Sequence, residues 1–233
     1  RRMPLDGDEK VATYLGEIHA AGTRARDLIR QLLLFSRAGR NDSRVQNIAP
    51  LVQDTARMLR PTLPATLSLR TFVSQALPLV RVDAVGLQQV VMNLVINARD
   101  ASDHHGEVKI LARLADTQGL RCASCHALMT GHHVEIAVSD QGSGIAHGVL
   151  ERIFDPFFTT KPVGKGTGMG LSVVHGVVHE MGGHVVVSSN RTGSTFRVLL
   201  PVEDEAPEAG VLSASLEAAS GRGEVIMVVD DDP

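Results

Sequence analysis

The segment QQVVMNLVINARDAS, residues 88–102, constrains the fold more than any other stretch of the chain. On a helix of 3.6 residues per turn, Val91, Leu94, Val95 and Ala98 occupy one side, while Asn93, Asn97 and Asp100 share another. Such a helix, read over 83–101, lays its apolar side on a sheet and turns its carboxamides toward something polar. The stretches around it alternate as strands do: TLSLRTFV, EVKILARL, HVEIAVSD, HVVVSSN and STFRVLL, with VQNIAP a shorter one. LVQDTARMLRPTL reads as a helix ended by Pro61, and 168–181 as a further helix. The order lacks a steady strand–helix–strand rhythm. The expected class is therefore α+β: helices covering one face of a mixed, mostly antiparallel sheet.

The two ends read differently from this middle. Over 9–37, Val11, Leu15, Ile18, Gly22, Ala25, Ile29 and Leu32 recur at spacings of four and three, with Tyr14, Ala21, Leu28 and Phe35 as a second row. A stripe this broad suits a helical bundle. Residues 202–222 are acidic and rich in Ala and Ser, which predicts a linker. EVIMVVDDDP then reads as an apolar strand ending in acids. The net charge of -3, the lack of Trp and the single Tyr leave neither a basic field nor stacking aromatics for nucleic acid. No apolar run is long enough to span a bilayer and no signal core opens the chain, so a cytoplasmic location is expected.

Two further segments carry chemistry. In HVEIAVSDQGSGI a strand ends at Asp140, followed by Gly142, Gly144 and Ile145. A carboxylate there can accept from the exocyclic amine of adenine, with the glycines admitting the base. In FDPFFTTKPVGKGTGMGLSVVHGVV, a Pro- and Gly-rich loop bearing Lys161 and Lys165 runs into a helix near Gly168. Helix-terminal amides preceded by glycine form an anion site, and lysines add charge to it. The loop does not match the GxxxxGK[ST] pattern.

Taken in order, Asn93-x3-Asn97-x2-Asp100-Ala101, Asp140-x-Gly142-x-Gly144, Phe154-Asp155-Pro156-Phe157-Phe158 and Gly166-Thr167-Gly168-Met169-Gly170-Leu171 resemble the N, G1, F and G2 boxes of sensor histidine kinases. The resemblance spans 45–201 and implies a two-layer α/β sandwich of the Bergerat type. It further implies ATP and Mg²⁺ as cofactors. Asn97 would ligate the metal, Asn93 would support metal and phosphates, and Asp140 would select adenine. Gly166 to Gly170 would cradle phosphate, and the stretch from Phe154 to Lys165 would form a lid. Where ATPase relatives carry a Glu that activates water, this chain has Asn93, which is no general base. The implied reaction is phosphotransfer to a histidine. The 1–40 segment resembles the second helix of a dimerisation bundle, and 223–233 resembles the first strand of a receiver domain, with Asp230 and Asp231 in its acidic pocket. A hybrid kinase cut at both ends is expected, homodimeric in its parent, with a receiver domain or response regulator as partner. No acceptor histidine is expected in this chain, because His19 lacks the surrounding pattern. The alternatives are an ATPase of the gyrase or MutL kind and an ATP-sensing module without catalysis.

Cys122-Ala-Ser-Cys125-His126 matches the c-type haem attachment pattern, which is out of place in a cytoplasmic domain. Two reduced thiols in a loop are expected, with zinc aided by His132 or His133 as the lesser reading. His175 and His179, at i and i+4, are expected to be structural or partly exposed.

Overall fold

The computed structural model describes residues 43–162 and 166–203, together with Val11, 14–16 and Gly22. The expected bundle helix, apart from those five residues, lies outside the described residues, as do the linker beyond Glu203 and the terminal receiver-like strand.

The described chain runs β1 (Arg44–Gln46), α1 (Ala49–Leu59), a 3-10 turn (Arg60–Thr62), β2 (Leu67–Val73), β3 (Val80–Val82), α2 (Ala84–Ala101), β4 (Gly106–Asp116), β5 (His132–Ser139), α3 (His147–Leu150), α4 (Gly170–Glu180), β6 (His184–Asn190) and β7 (Gly193–Pro201). Five strands form one sheet in the order β2-β4-β5-β7-β6, and β1 pairs with β3 apart from it. Only β2 and β4 run parallel; the other pairs of the large sheet are antiparallel. The expected α+β architecture holds, and the strand assignments differ from expectation only at their ends. The short β3 and α3 were not anticipated: three residues carry too little periodicity to stand out, and α3 is a single turn.

Strand alternation sends Val108, Ile110 and Ala112 of β4, Val134, Ile136 and Val138 of β5, and Phe196, Val198 and Leu200 of β7 to one face. There they meet Val52 and Leu59 of α1, Leu87, Val91 and Leu94 of α2, and Val174 and Val178 of α4 in a single core. Each fully buried Leu or Val contributes roughly 1.5–3 kcal/mol relative to exposure. The opposite face is mixed, with Leu199 and Ala137 buried beside charged side chains. At its centre Glu135, only 2% exposed, takes a two-pronged ion pair from Arg197 at 2.9 and 3.0 Å. The helices α1, α2 and α4 thus lie on one layer, and on the sheet's far side charge pairing satisfies the buried Glu135.

The start of α2 is set by Asp83, whose carboxylate accepts from the amides of Val85 and Gly86 at 3.3 and 2.8 Å. This cap and the apolar side of α2 orient the helix, so that its carboxamide side faces the beginning of α4.

Candidate functional site

Between α2 and the start of α4 lies a cavity of about 190 Å³. Asn93 and Asn97 enter it from α2; Phe158, Thr159 and Lys161 from the loop after α3; and Gly166, Thr167, Gly168, Gly170 and Leu171 from the turn into α4. Two segments distant in sequence, α2 and the loop that runs into α4, therefore share one hollow.

The two asparagines are not equivalent. Asn93 is nearly buried, at 7% exposure. Its amide donates to the Gly170 carbonyl at 3.2 Å, and its oxygen accepts from Gln89 at 3.0 Å. It ties α2 to the turn. Asn97 lines the cavity, and among the described residues nothing hydrogen-bonds its carboxamide. Its oxygen is a ready hard-cation ligand. Asn97 therefore fits a Mg²⁺ ligand, and Asn93 fits a supporting role beside it. Gln89 escaped the sequence reading, although its place one turn ahead of Asn93 on the same helix side was a usable signal.

Helix α4 begins without a side-chain cap, so its first-turn amides are left for a partner in the cavity. Gly168 sits at φ 67°, and a Cβ there would overlap the backbone of Phe157. Only glycine allows both the left-handed turn and that approach. A positive helix end, backbone amides and Lys161 together make the cavity suited to an anion.

Asp100 lies behind this arrangement. Its carboxylate receives the Lys161 ammonium at 2.6 Å and the Arg99 guanidinium at 2.7 Å. Burial pushes its pKa up, but the hydrogen bonds and charges of Lys161 and Arg99 prevail and hold it below the ordinary value. The ion pair fastens the loop after α3 to the end of α2. Lys165 lies outside the described residues.

Asp140, at the end of β5, does not line this cavity; neither do Gly142, Gly144, Ile145, Phe154 or Met169. Asp140 is 9% exposed, and one of its oxygens accepts from the amides of Gly142 and Ser194 at 2.8 and 3.2 Å. Burial raises its pKa, with those two amides opposing. Ser194 was not singled out in the sequence; its role comes from the β5–β7 register, which no local motif reveals. The Gly142–Gly144 turn joins the same end of α2: the Ser143 amide donates to the Ala101 carbonyl at 3.4 Å. Gly144, at φ 73°, leaves no room for a Cβ against the Asn190 carbonyl. Ile145 is anchored by its amide to Ser189 Oγ at 2.7 Å. Phe154 and Met169 are buried.

Both cysteines are free in a loop, as expected, but their neighbours are not the histidines considered for zinc. The thiols face His179 and His184 rather than His132 or His133. His133 instead meets the Thr117 hydroxyl at 2.8 Å. Among the described residues, no helix is long and apolar enough to cross a membrane.

A family model described as "Histidine kinase-, DNA gyrase B-, and HSP90-like ATPase" matches residues 82–204. Sensor kinase CckA of Brucella abortus (strain 2308) is 35% identical over 218 residues, covering 90% of this chain and 23% of that protein. Sensor histidine kinase ZraS of Escherichia coli (strain K12) is 33% identical over 219 residues, covering 86% of this chain and 43% of its own length. The crystal structure of full-length ShkA in complex with AMPPNP superposes with a TM-score of 0.65 at 25% identity, covering 84% of this chain and 39% of that one. The chain thus spans less than half the length of each of these relatives.

Proposed function

The chain belongs to the histidine kinase-, DNA gyrase B- and HSP90-like ATPases, with sensor histidine kinases among its relatives, and on that premise we propose that it binds MgATP and passes the γ-phosphoryl group to a histidine on a dimerisation domain. The observation that carries this reading is the shared cavity. One free carboxamide, one glycine turn and one uncapped helix start converge where a triphosphate and its metal would sit.

In this reading Asn97 holds Mg²⁺, which neutralises charge on the phosphates when bound. Asn93, fixed by Gln89 and Gly170, keeps the turn at the correct distance. The amides of Gly168 to Leu171 and the Lys161 ammonium bind phosphate oxygens. Asp140 accepts from the adenine amine through the oxygen that its backbone partners leave open, with Gly142, Gly144 and Ile145 bordering the base. The residues from Phe154 to Lys165 close over the nucleotide. The acceptor imidazole is neutral and needs little base catalysis, so positioning and charge neutralisation are the main work of the domain. Asn93 and Asn97 cannot take a proton from water, which favours transfer over hydrolysis.

The wider organisation belongs to the same proposal. Residues 1–40 form the second helix of a dimerisation bundle, 41–201 the catalytic domain, 202–222 a linker, and 223–233 the opening strand of a receiver domain. The parent acts as a homodimer whose kinase domain faces the cytoplasm, and the phosphoryl group passes on to a receiver aspartate or a response regulator.

Titration calorimetry tests the binding step. The chain should bind MgATP, and Asn97→Ala should weaken it by on the order of tenfold or more, through loss of the metal ligand. Equal affinity with and without Mg²⁺, unaltered in Asn97→Ala, would refute the assignment.

A further inference from the structure

The loop between β4 and β5, the end of α4 and the start of β6 meet at a second cluster, remote in function from the phosphate cavity. Cys122 and Cys125 come from the loop, His179 from the last turn of α4, and His184 from the first residue of β6. Their ligand atoms all lie within 4.8 Å of one another. Cys122 Sγ is 3.8 Å from His179 Nε2, and Cys125 Sγ is 3.5 Å from His184 Nδ1. In a tetrahedron with Zn–S near 2.3 Å and Zn–N near 2.0 Å, ligand atoms stand about 3.4–3.8 Å apart. Both of these sulfur–nitrogen distances match that scale.

We propose that Cys122, Cys125, His179 and His184 form a closed, four-coordinate structural site for Zn²⁺.

Three features beyond proximity support it. The spacing is Cys-x2-Cys followed by His-x4-His, which falls within the range used by structural zinc sites. The cysteine turn is pre-formed. Cys122 donates its amide to Ala127 at 2.9 Å, the His126 amide returns to the Cys122 carbonyl at 3.2 Å, and His126 takes φ 62° to close the loop. The Ala123 amide then bonds the Val185 carbonyl at 2.7 Å, which pins the turn beside β6. The third feature is tautomeric. His179 Nδ1 lies 2.9 Å from the His175 carbonyl oxygen, which can only accept. The proton is therefore on Nδ1, and the Nε2 lone pair faces the thiols, as in metal-bound histidines held by a backbone carbonyl.

A site of two sulfurs and two imidazoles selects zinc over magnesium or calcium. Four protein ligands leave no open position, so the ion is structural. Binding converts both thiols to thiolates and releases their two protons to solvent. The ion would hold a 15-residue-scale excursion, roughly the length of a loop that is uncommon without its own function, against the far end of the helix that opens the phosphate cavity. The haem-like pattern in the sequence is then the first half of a zinc site, and His126 serves it through its backbone.

The test uses the whole chain, purified under reducing conditions without a histidine tag or chelator. Elemental analysis should give about one zinc per chain. Cobalt(II) titration should give the intense visible absorption of a tetrahedral site together with a thiolate-to-cobalt band. Because Cys122 is buried and its replacement could impair folding, the variants are the more accessible Cys125→Ser and His184→Ala. Each should weaken cobalt binding by on the order of a hundredfold, with circular dichroism reporting the fold, while His132→Ala should leave it unchanged. Octahedral cobalt without a thiolate band, binding unaltered in Cys125→Ser, or a Cys122–Cys125 disulfide in a chain that takes no metal once reduced, would each overturn the proposal.

Discussion

Asp140 has the sharpest consequences of any single residue. Its folded pKa is raised, so the ionised form opposes folding, and that cost grows as pH climbs from the unfolded pKa through the folded one. Asparagine keeps an oxygen for the Gly142 and Ser194 amides but carries no charge. Asp140→Asn should therefore preserve or raise the melting temperature at neutral pH. The same change should lower adenine nucleotide affinity by roughly tenfold to a hundredfold, because an amide in place of the carboxylate repels the adenine amine. Scanning calorimetry and nucleotide titration of one variant check both halves; a less stable variant with unchanged affinity would contradict the account. Asp100 has the opposite sign. Its pKa is lowered, so its contribution is complete above the ordinary carboxylate pKa and is lost as pH falls through the depressed value. Lys161→Met should flatten the acid limb of urea stability below about pH 4, and an unaltered slope would show that the ion pair does not act in solution. On the far face, Arg197→Met would leave Glu135 buried with only Arg113, at 3.4 Å, to partner it. Chemical denaturation should register a loss of about 3 kcal/mol.

At the scale of elements, the turn into α4 is the decisive piece. Gly168→Ala adds a methyl where Phe157 backbone already stands, at a φ that L residues rarely adopt. The lid must shift away from α2. MgATP affinity should fall by at least about tenfold, measured by calorimetry, while the far-UV spectrum is kept; normal affinity would mean that the turn does not hold phosphate. Much of this was readable before any coordinates. Helix α2 could be placed because its two faces differ so plainly, and the glycine turn because Gly, Lys and Thr crowd one helix start. The division of labour between Asn93 and Asn97 was not readable, since it depends on the Gly170 carbonyl, 77 residues away. Nor was the pairing of Lys161 with Asp100, across 61 residues. The histidines beside the cysteines were not readable for the same reason: the lesser zinc reading took His132 or His133, but β5 carries His133 to Thr117, while α4 and β6 deliver His179 and His184.

At the scale of the whole molecule, the sheet and its helix layer act as a frame that holds α2 and the start of α4 at a fixed separation. The core behind them is continuous from α1 to β7, so the α2 wall of the cavity inherits the rigidity of the fold. In the proposed reading, the residues from Phe154 to Lys165 would move to let a nucleotide enter and ADP leave. Under the proposed function, asparagines rather than an acid on α2 would suit a site that holds ATP until an imidazole arrives. The most direct test is to mix the chain with γ-labelled MgATP and a separate polypeptide carrying the complete dimerisation bundle. The account predicts acid-labile, base-stable phosphate on a histidine of that bundle, absent with Asn97→Ala and absent when the chain is incubated alone. Steady release of inorganic phosphate with no labelled protein would contradict it, and would mark the chain as an ATPase instead.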